Sequence, residues 1–164
     1  MSQQPETARV ITFVEVSARD AFEVFTDEVD LWWRRGPRFR GGGPDSELCF
    51  EQVAGGRRLI ERGEHGVFEI GRVQVWEPGK RLVIEYRLRN FAANERTEVE
   101  VRFEEQGHGT RVVLEHRGWE ALRPDHPARH GLSGESFSGM IGLHWGDLIT
   151  GYRQHLRASA SWTS

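Results

Sequence analysis

Lysine is almost missing from this chain: Lys80 is the only one among 22 basic residues, and the rest are arginines. Acidic residues number 25, which leaves a formal net charge of −3. That balance gives no electrostatic ground for a nucleic-acid partner or an anionic membrane. Arginine makes planar, bidentate pairs, and here arginines alternate with acids along strand-like stretches, as in a solvated lattice of ion pairs. Cysteine is just as scarce. Cys49 stands alone, so an internal disulfide and a thiolate metal cluster are both excluded, and a reducing, cytoplasmic setting is expected. No apolar stretch approaches the ~20 residues of a membrane span, so no membrane insertion is expected. The start, Met1 to Thr7, is polar and lacks the apolar run of a signal peptide. Internal repeats, low-complexity tracts and domain linkers are absent too. The 164 residues suit one domain, 1–164, with one core.

What is present is an ordered change of hydrophobic period. Apolar residues make up 37% and charged residues 29%, a globular composition. Arg9 to Val16 reads as a strand. Ser17 caps a helix from Ala18 to about Thr26, with Asp20 at the third helical position. Asp27 to Arg34 reads as a second short helix, stopped by Gly36-Pro37. Arg38 to Pro44 reads as a flexible loop. From Ser46 the period is two. The alternation predicts strands around Leu48 and Phe50, over Arg57 to Arg62, Val67 to Trp76, Arg81 to Asn90, Glu95 to Glu105 and Thr110 to Trp119. Gly71 marks a switch of parity, as a bulge or bend requires. A long loop follows, from Trp119 to Glu135. Phe137 to Ala158 then carries apolar residues at helical spacing, broken only by Leu143. Short turns between the strands imply an antiparallel meander, and the one-sided helix needs that sheet to lie on.

The order of elements resembles the helix-grip fold of the Bet v 1-like superfamily, also called START or SRPBCC. Local features resemble its branch named after the activator of heat-shock protein 90 ATPase. They are Val14-Glu15-Val16-Ser17-Ala18 leading into Ala21 to Asp27, then Trp32-Trp33, Trp76 to Leu82, Thr110-Arg111-Val112 through His116-Arg117-Gly118-Trp119, and Trp145-Gly146. The resemblance covers roughly residues 9–158. It implies an α+β fold: a curved antiparallel sheet of about seven strands wrapped around a long C-terminal helix, with two short helices after the first strand. It also implies a cavity between helix and sheet. Superfamily members bind hydrophobic ligands there or use it for cyclase, aromatase or hydrolase-like chemistry, and fold alone does not choose among these.

Several residues are candidates for function. The pocket-wall set is Trp33, Phe50, Phe68, Tyr86, His116, Met140, His144 and Leu148, around a hydrophobic or aromatic metabolite or lipid. Trp32, Trp76, Trp119 and Trp145 also sit where core or wall is expected. His116 and His144 are the candidate general bases, since imidazole titrates near working pH. The competing reading of each is a core histidine bonded to a backbone carbonyl or water. Glu15, Glu61 and Glu69 are candidate inward carboxylates. Asp125, His126 and His130 have metal-like spacing, but Pro124 and Pro127 oppose the helix that would align the histidines, so no metal is expected. No cofactor is expected either. Cys49 alternates with Leu48 and Phe50, away from the helix, and Gly41-Gly42-Gly43 lacks the strand-to-helix setting of a phosphate loop. Three functions stay open: a small-molecule-binding domain, a cyclase- or hydrolase-like enzyme using a pocket histidine, and a co-chaperone-like interaction module. A homodimer stays open as well. A chaperone partner has no support in the charged outer strand faces.

Overall fold

The computed structural model describes residues 7–123, 125–132 and 134–160; residues 1–6, 124, 133 and 161–164 lie outside the described residues. The period of two becomes seven strands: β1 (Ala8–Val14), β2 (Glu47–Val53), β3 (Gly56–Gly63), β4 (Gly66–Glu77), β5 (Arg81–Tyr86), β6 (Thr97–Gln106) and β7 (Gly109–Arg117). They form one antiparallel sheet in the order β1-β7-β6-β5-β4-β3-β2. This is a meander from β2 to β7, with β1 added beside β7. Two short helices, α1 (Ala18–Asp27) and α2 (Val29–Trp32), follow β1, and a long helix, α3 (Gly134–Ala160), closes the chain. The order is that of the helix grip.

Local chemistry sets several boundaries. The Asp20 N–H donates to Ser17 Oγ at 3.1 Å, capping α1 at the residue the sequence predicts. Asp27 ends α1 rather than capping α2, which begins after Glu28 without a side-chain cap. The sheet bends in β4. Leu59 pairs with Gly71 and Ile60 with Glu69, so Ile70 is the extra residue of a bulge. Gly71 is required there, because a Cβ would run into the Glu85 carbonyl oxygen. β5 ends at Tyr86, short of the predicted Asn90, because the chain turns and the Phe91 N–H closes back on the Leu88 carbonyl at 3.0 Å.

The two faces of the sheet are chemically distinct. Leu82, Ile84, Val99, Val101, Phe103, Val112 and Leu114 bury their side chains on the concave face, in one cluster with Ile141, Trp145, Leu148, Tyr152 and Leu156 of α3. α3 starts one turn before the predicted Phe137, so Ser136 and Ser138 lie inside it instead of capping it. Tyr152 ties it to α1 by donating its hydroxyl to the Ala21 carbonyl at 2.6 Å. The convex face carries the expected ion-pair lattice. Glu100, only 6% exposed, receives Arg102 and Arg117 at 2.9 Å each and Arg81 besides. Ile60, Val83 and Val113 are buried on this side of the sheet, outside the main core cluster.

Candidate functional site

The core is not filled everywhere. Where β5 stops at Tyr86, the wall of the grip continues as loop, and a cavity of about 490 Å³ remains between the sheet and the first half of α3. That lies within the roughly 300–1,000 Å³ of small-molecule sites. Tyr86 and His116 come from neighbouring positions of the sheet, Met140, Ile141, His144 and Trp145 from α3, and Trp119 from the loop after β7. Arg38, Asn90 and His130, all exposed, line its outer part. A second cavity of about 320 Å³ shares Arg38, Tyr86, Leu88, Asn90 and His144 with the first, and is lined further by Trp33, Phe68, Glu61 and Arg89.

The two loops that complete this wall are pinned by buried arginines. Arg40, 3% exposed, donates to the Asp30 carboxylate, to the Trp33 and Ser46 carbonyls and to the Asp30 carbonyl, all at 2.7 to 2.8 Å. The stretch from Trp119, predicted as an open loop, contains two 3₁₀ turns, Trp119–Ala121 and Pro127–Arg129. Arg129 holds them together through the Trp119 and Leu122 carbonyls. His126 adds a clamp. Its Nδ1 accepts the Ala128 N–H at 3.0 Å, so its Nε2–H faces Glu95 Oε1 at 3.0 Å. With both nitrogens engaged, His126 has none left for a metal. His130 is exposed on the cavity rim instead of beside it.

His116 is similarly committed. The Trp145 indole N–H donates to its Nδ1 at 2.9 Å, so the proton of the neutral ring sits on Nε2 and points to Thr97 Oγ1 at 2.6 Å. Thr97 in turn donates to the Tyr86 carbonyl at 3.2 Å. Burial, with a smaller contribution from His144, pushes the His116 pKa down to about 3. The ring is a neutral structural link with no free lone pair, and it is unsuited to act as the base the sequence proposed.

His144 differs. It is half-buried on α3, stacks on Phe39 with centroids 5.2 Å apart at 29°, and has no hydrogen-bond partner among the described residues. Burial and then Arg38 lower its pKa, against an opposing effect of Asp147, so the ring is neutral at pH 7. Two more polar groups on the same cavity wall lack partners among the described residues: the Tyr86 hydroxyl and the Trp119 indole N–H, in residues 5% and 1% exposed. Burial raises the Tyr86 pKa, with Glu61 adding to it, so the phenol keeps its proton.

Four of the eight predicted wall residues, Tyr86, His116, Met140 and His144, meet at the larger cavity. Trp33 and Phe68 line the smaller one beside Tyr86 and His144. Phe50 packs edge-on against Trp76 at 5.8 Å, away from both cavities. Leu148 is wholly buried in the core and reaches neither. Glu61 is the inward carboxylate among the three acids considered. It is 3% exposed, accepts the Gly42 N–H at 2.7 Å and pairs with Arg89 at 3.0 Å. Burial pushes its carboxyl up, but those donors outweigh it and hold the pKa below the usual value. Glu69 pairs with Arg72 at the surface, and Glu15 is exposed. Arg38, Leu88 and Asn90 were not among the predicted site residues: Arg38 stands on irregular backbone with no period to read, and the alternation carries Leu88 and Asn90 on as strand where the backbone has already left the sheet.

The sequence profile described as Activator of Hsp90 ATPase homolog 1-like protein matches residues 15–138. The chain belongs to this family. Solved structures agree on the fold. Protein MLL2253 from Mesorhizobium loti is 18% identical, with a TM-score of 0.63 over 93% of this chain and 97% of its own. DynU16, a protein of the dynemicin biosynthetic locus, is 16% identical with a TM-score of 0.61 over 95% of this chain and 49% of its own. The Aha1 dimer from Colwellia psychrerythraea is 14% identical with a TM-score of 0.55 over 92% of this chain and 95% of its own. At such identities the family's fold is shared, and nothing follows about ligand. No curated protein matches the chain. Among the described residues, no helix is long and apolar enough to cross a membrane.

Proposed function

We propose that this chain is a small-molecule-binding domain that takes a ring-bearing metabolite into the cavity between α3 and the sheet. One observation carries the reading. On an aromatic wall around about 490 Å³, the Trp119 indole N–H is buried without a protein partner, and the Tyr86 hydroxyl and the His144 ring, which make no hydrogen bond among the described residues, face the same cavity. A buried donor left unpaired costs about 1–3 kcal/mol, so a fold keeps such groups where something else satisfies them. The wall residues are Trp33, Phe68, Tyr86, Trp119, Met140 and His144. The setting is a reducing, cytoplasmic one, in keeping with the lone Cys49. Native mass spectrometry of the protein purified from its own host tests this. The expected result is a retained small molecule that is lost, without loss of fold, in Tyr86→Phe and Trp119→Phe. An empty protein that shows no thermal shift with any ring-bearing metabolite would sink the idea.

Chemistry on the bound molecule, of the cyclase or hydrolase kind, falls to His144, since His116 has no free nitrogen. DynU16, from a biosynthetic locus, shares the fold. If His144→Gln binds the retained molecule but turns over as fast as the parent protein, this second reading is lost.

A second copy is the partner that β1 suits. This edge strand exposes Ile11 and Phe13 two residues apart on one face, at 47% and 40%. The relative from Colwellia psychrerythraea is described as a dimer. Light scattering after gel filtration should give twice the chain mass for the parent and the single mass for Ile11→Lys/Phe13→Lys. A monomeric parent removes the proposal.

A further inference from the structure

The cavity's ligand has a second chemical requirement, written in the arginines of the smaller chamber. We infer that the site selects an amphipathic anion: a ring body in the larger cavity with a carboxylate or sulfonate-like group facing Arg38, Arg87 and Arg89. This inference rests on the reading of the cavity as a ligand site and adds the charge of what fills it.

The chain carries a net −3, yet the smaller chamber is lined by Arg38, Arg40, Arg87 and Arg89 against a single acid, Glu61. Arg40 is spent. Its guanidinium is buried and bonded to the Asp30 carboxylate and to carbonyls on both flanks. Glu61 is spent as well, with the Gly42 N–H on one oxygen and Arg89 on the other. A cationic ligand therefore finds no free carboxylate there.

The other three arginines have donors to spare. Each guanidinium has five N–H groups. Arg89 gives one bond to Glu61, Arg87 one to the Ala92 carbonyl at 2.7 Å, and Arg38 a long one of 3.4 Å to exposed Asp147. Two of them are already oriented. The Arg89 guanidinium lies 4.4 Å over the Phe68 ring and that of Arg38 lies 5.1 Å from the Phe39 ring, which itself stacks on His144. Stacked guanidinium groups lose less freedom on binding an anion, and their planar fork fits a carboxylate. Because Arg38 and Tyr86 line both chambers, a ring beside Tyr86 places a short acidic substituent near Arg38. Asp147 is the one nearby acid that competes for it, and its pair with Arg38 is exposed and weak.

The test uses two probes that share a skeleton and differ by one charge: N-phenyl-1-naphthylamine, neutral, and 8-anilino-1-naphthalenesulfonate, anionic. Both are titrated by fluorescence into the full-length chain, with Met140→Trp as the control that fills the larger cavity and removes specific binding of either. The sulfonate is expected to bind roughly tenfold tighter at low salt, the worth of one charge-assisted hydrogen bond. Arg38→Gln should bring the two probes to near parity, the sulfonate losing most of its roughly tenfold advantage. Arg89→Gln alone strips the partner from buried Glu61 and threatens the fold. Its effect is therefore read in Glu61→Gln/Arg89→Gln, where both charges leave together and circular dichroism verifies folding. Equal binding of the two probes, or a sulfonate preference untouched in Arg38→Gln and in the double variant, overturns the inference and leaves the cavity reading standing. If neither probe binds, or Met140→Trp leaves their binding intact, the cavity reading falls and this inference goes with it.

Discussion

The hydrogen bonds around His116 run in one direction, from the Trp145 indole N–H to Nδ1, from Nε2–H to Thr97, and from Thr97 to the Tyr86 carbonyl. Protonating Nδ1 would set two donors against each other, so the chain of bonds works with burial to keep the ring neutral. The folded-state pKa, about 3, lies below the ordinary 6.5. The unfolded chain therefore takes up the proton first as the pH falls. The stability contributed by the neutral ring is complete above pH 6.5 and is lost between there and pH 3, at up to about 1.4 kcal/mol per pH unit. His144, whose pKa is also lowered, adds to the same trend. Asp30, Glu61 and Glu100 have lowered pKa values too, and their contributions are lost only further into acid. The window from pH 6.5 to 5 thus isolates the histidines. Urea unfolding of the parent should lose stability across that window, and His116→Gln should flatten the slope. Parallel curves for the two proteins would show that His116 is not held neutral in the way described.

Helix α3 joins structural and ligand roles in one element, and its glycines separate them. A Cβ at Gly139 or Gly142 would meet nothing within 4 Å, whereas one at Gly151 would sit 3.0 Å from the Trp32 carbonyl oxygen. Glycine inside a helix costs about 0.5–1 kcal/mol relative to alanine. Gly139→Ala and Gly142→Ala should each raise the thermal midpoint by about 1–4 °C, and Gly151→Ala should not. A lowered midpoint for both of the first two would mean that α3 needs their freedom. The apolar stripe of this helix was legible in the sequence, down to Leu143, which breaks it and is 74% exposed. Strand parity was legible for the same reason: alternation is a local signal, and it put Tyr86 and His116 on the inner face. The loops left no such trace. The early end of β5 is hidden because Leu88 continues the alternation after the backbone has left the sheet. The 3₁₀ turns after Trp119 depend on Arg129, a charged residue buried by carbonyls seven and ten positions away. Arg38 stands in a loop shaped by Arg40 reaching Asp30 and Ser46. Such hydrogen bonds have no period, so Arg38 and the other loop-borne polar groups of the site were invisible before the fold was known, although Tyr86, His116 and His144 were not.

Taken as a whole, the molecule sets a rigid sheet against two loops and the start of a helix, with the cavity at their meeting point. β6 and β7 lie inside the sheet, with a lattice of ion pairs outside and apolar packing inside. The loops at 34–46 and 119–132 lie outside the sheet ladder and are held by side-chain bonds, among them those of buried Arg40 and Arg129, Arg34 to the Asp147 carbonyl, the Gly42 N–H to Glu61 and the His126–Glu95 clamp. Irregular segments at the surface open at lower free energy than the core of a sheet. A ligand touching Tyr86, Trp119 and His144 at once binds only the closed arrangement. It therefore stabilises that arrangement against local opening by roughly 2.7 kcal/mol at a hundredfold excess over its dissociation constant. Amide hydrogen exchange with saturating 8-anilino-1-naphthalenesulfonate should show slower exchange in 119–132, in 34–46 and in the first turns of α3. The centres of β6 and β7 should change little, because their exchange already reports opening of the whole molecule. Protection confined to the β1 edge around Ile11 and Phe13 would locate the probe on the surface and remove the cavity from the account. Protection spread evenly over the chain would mean that the loops and the sheet open together and that the grip has no separately moving wall.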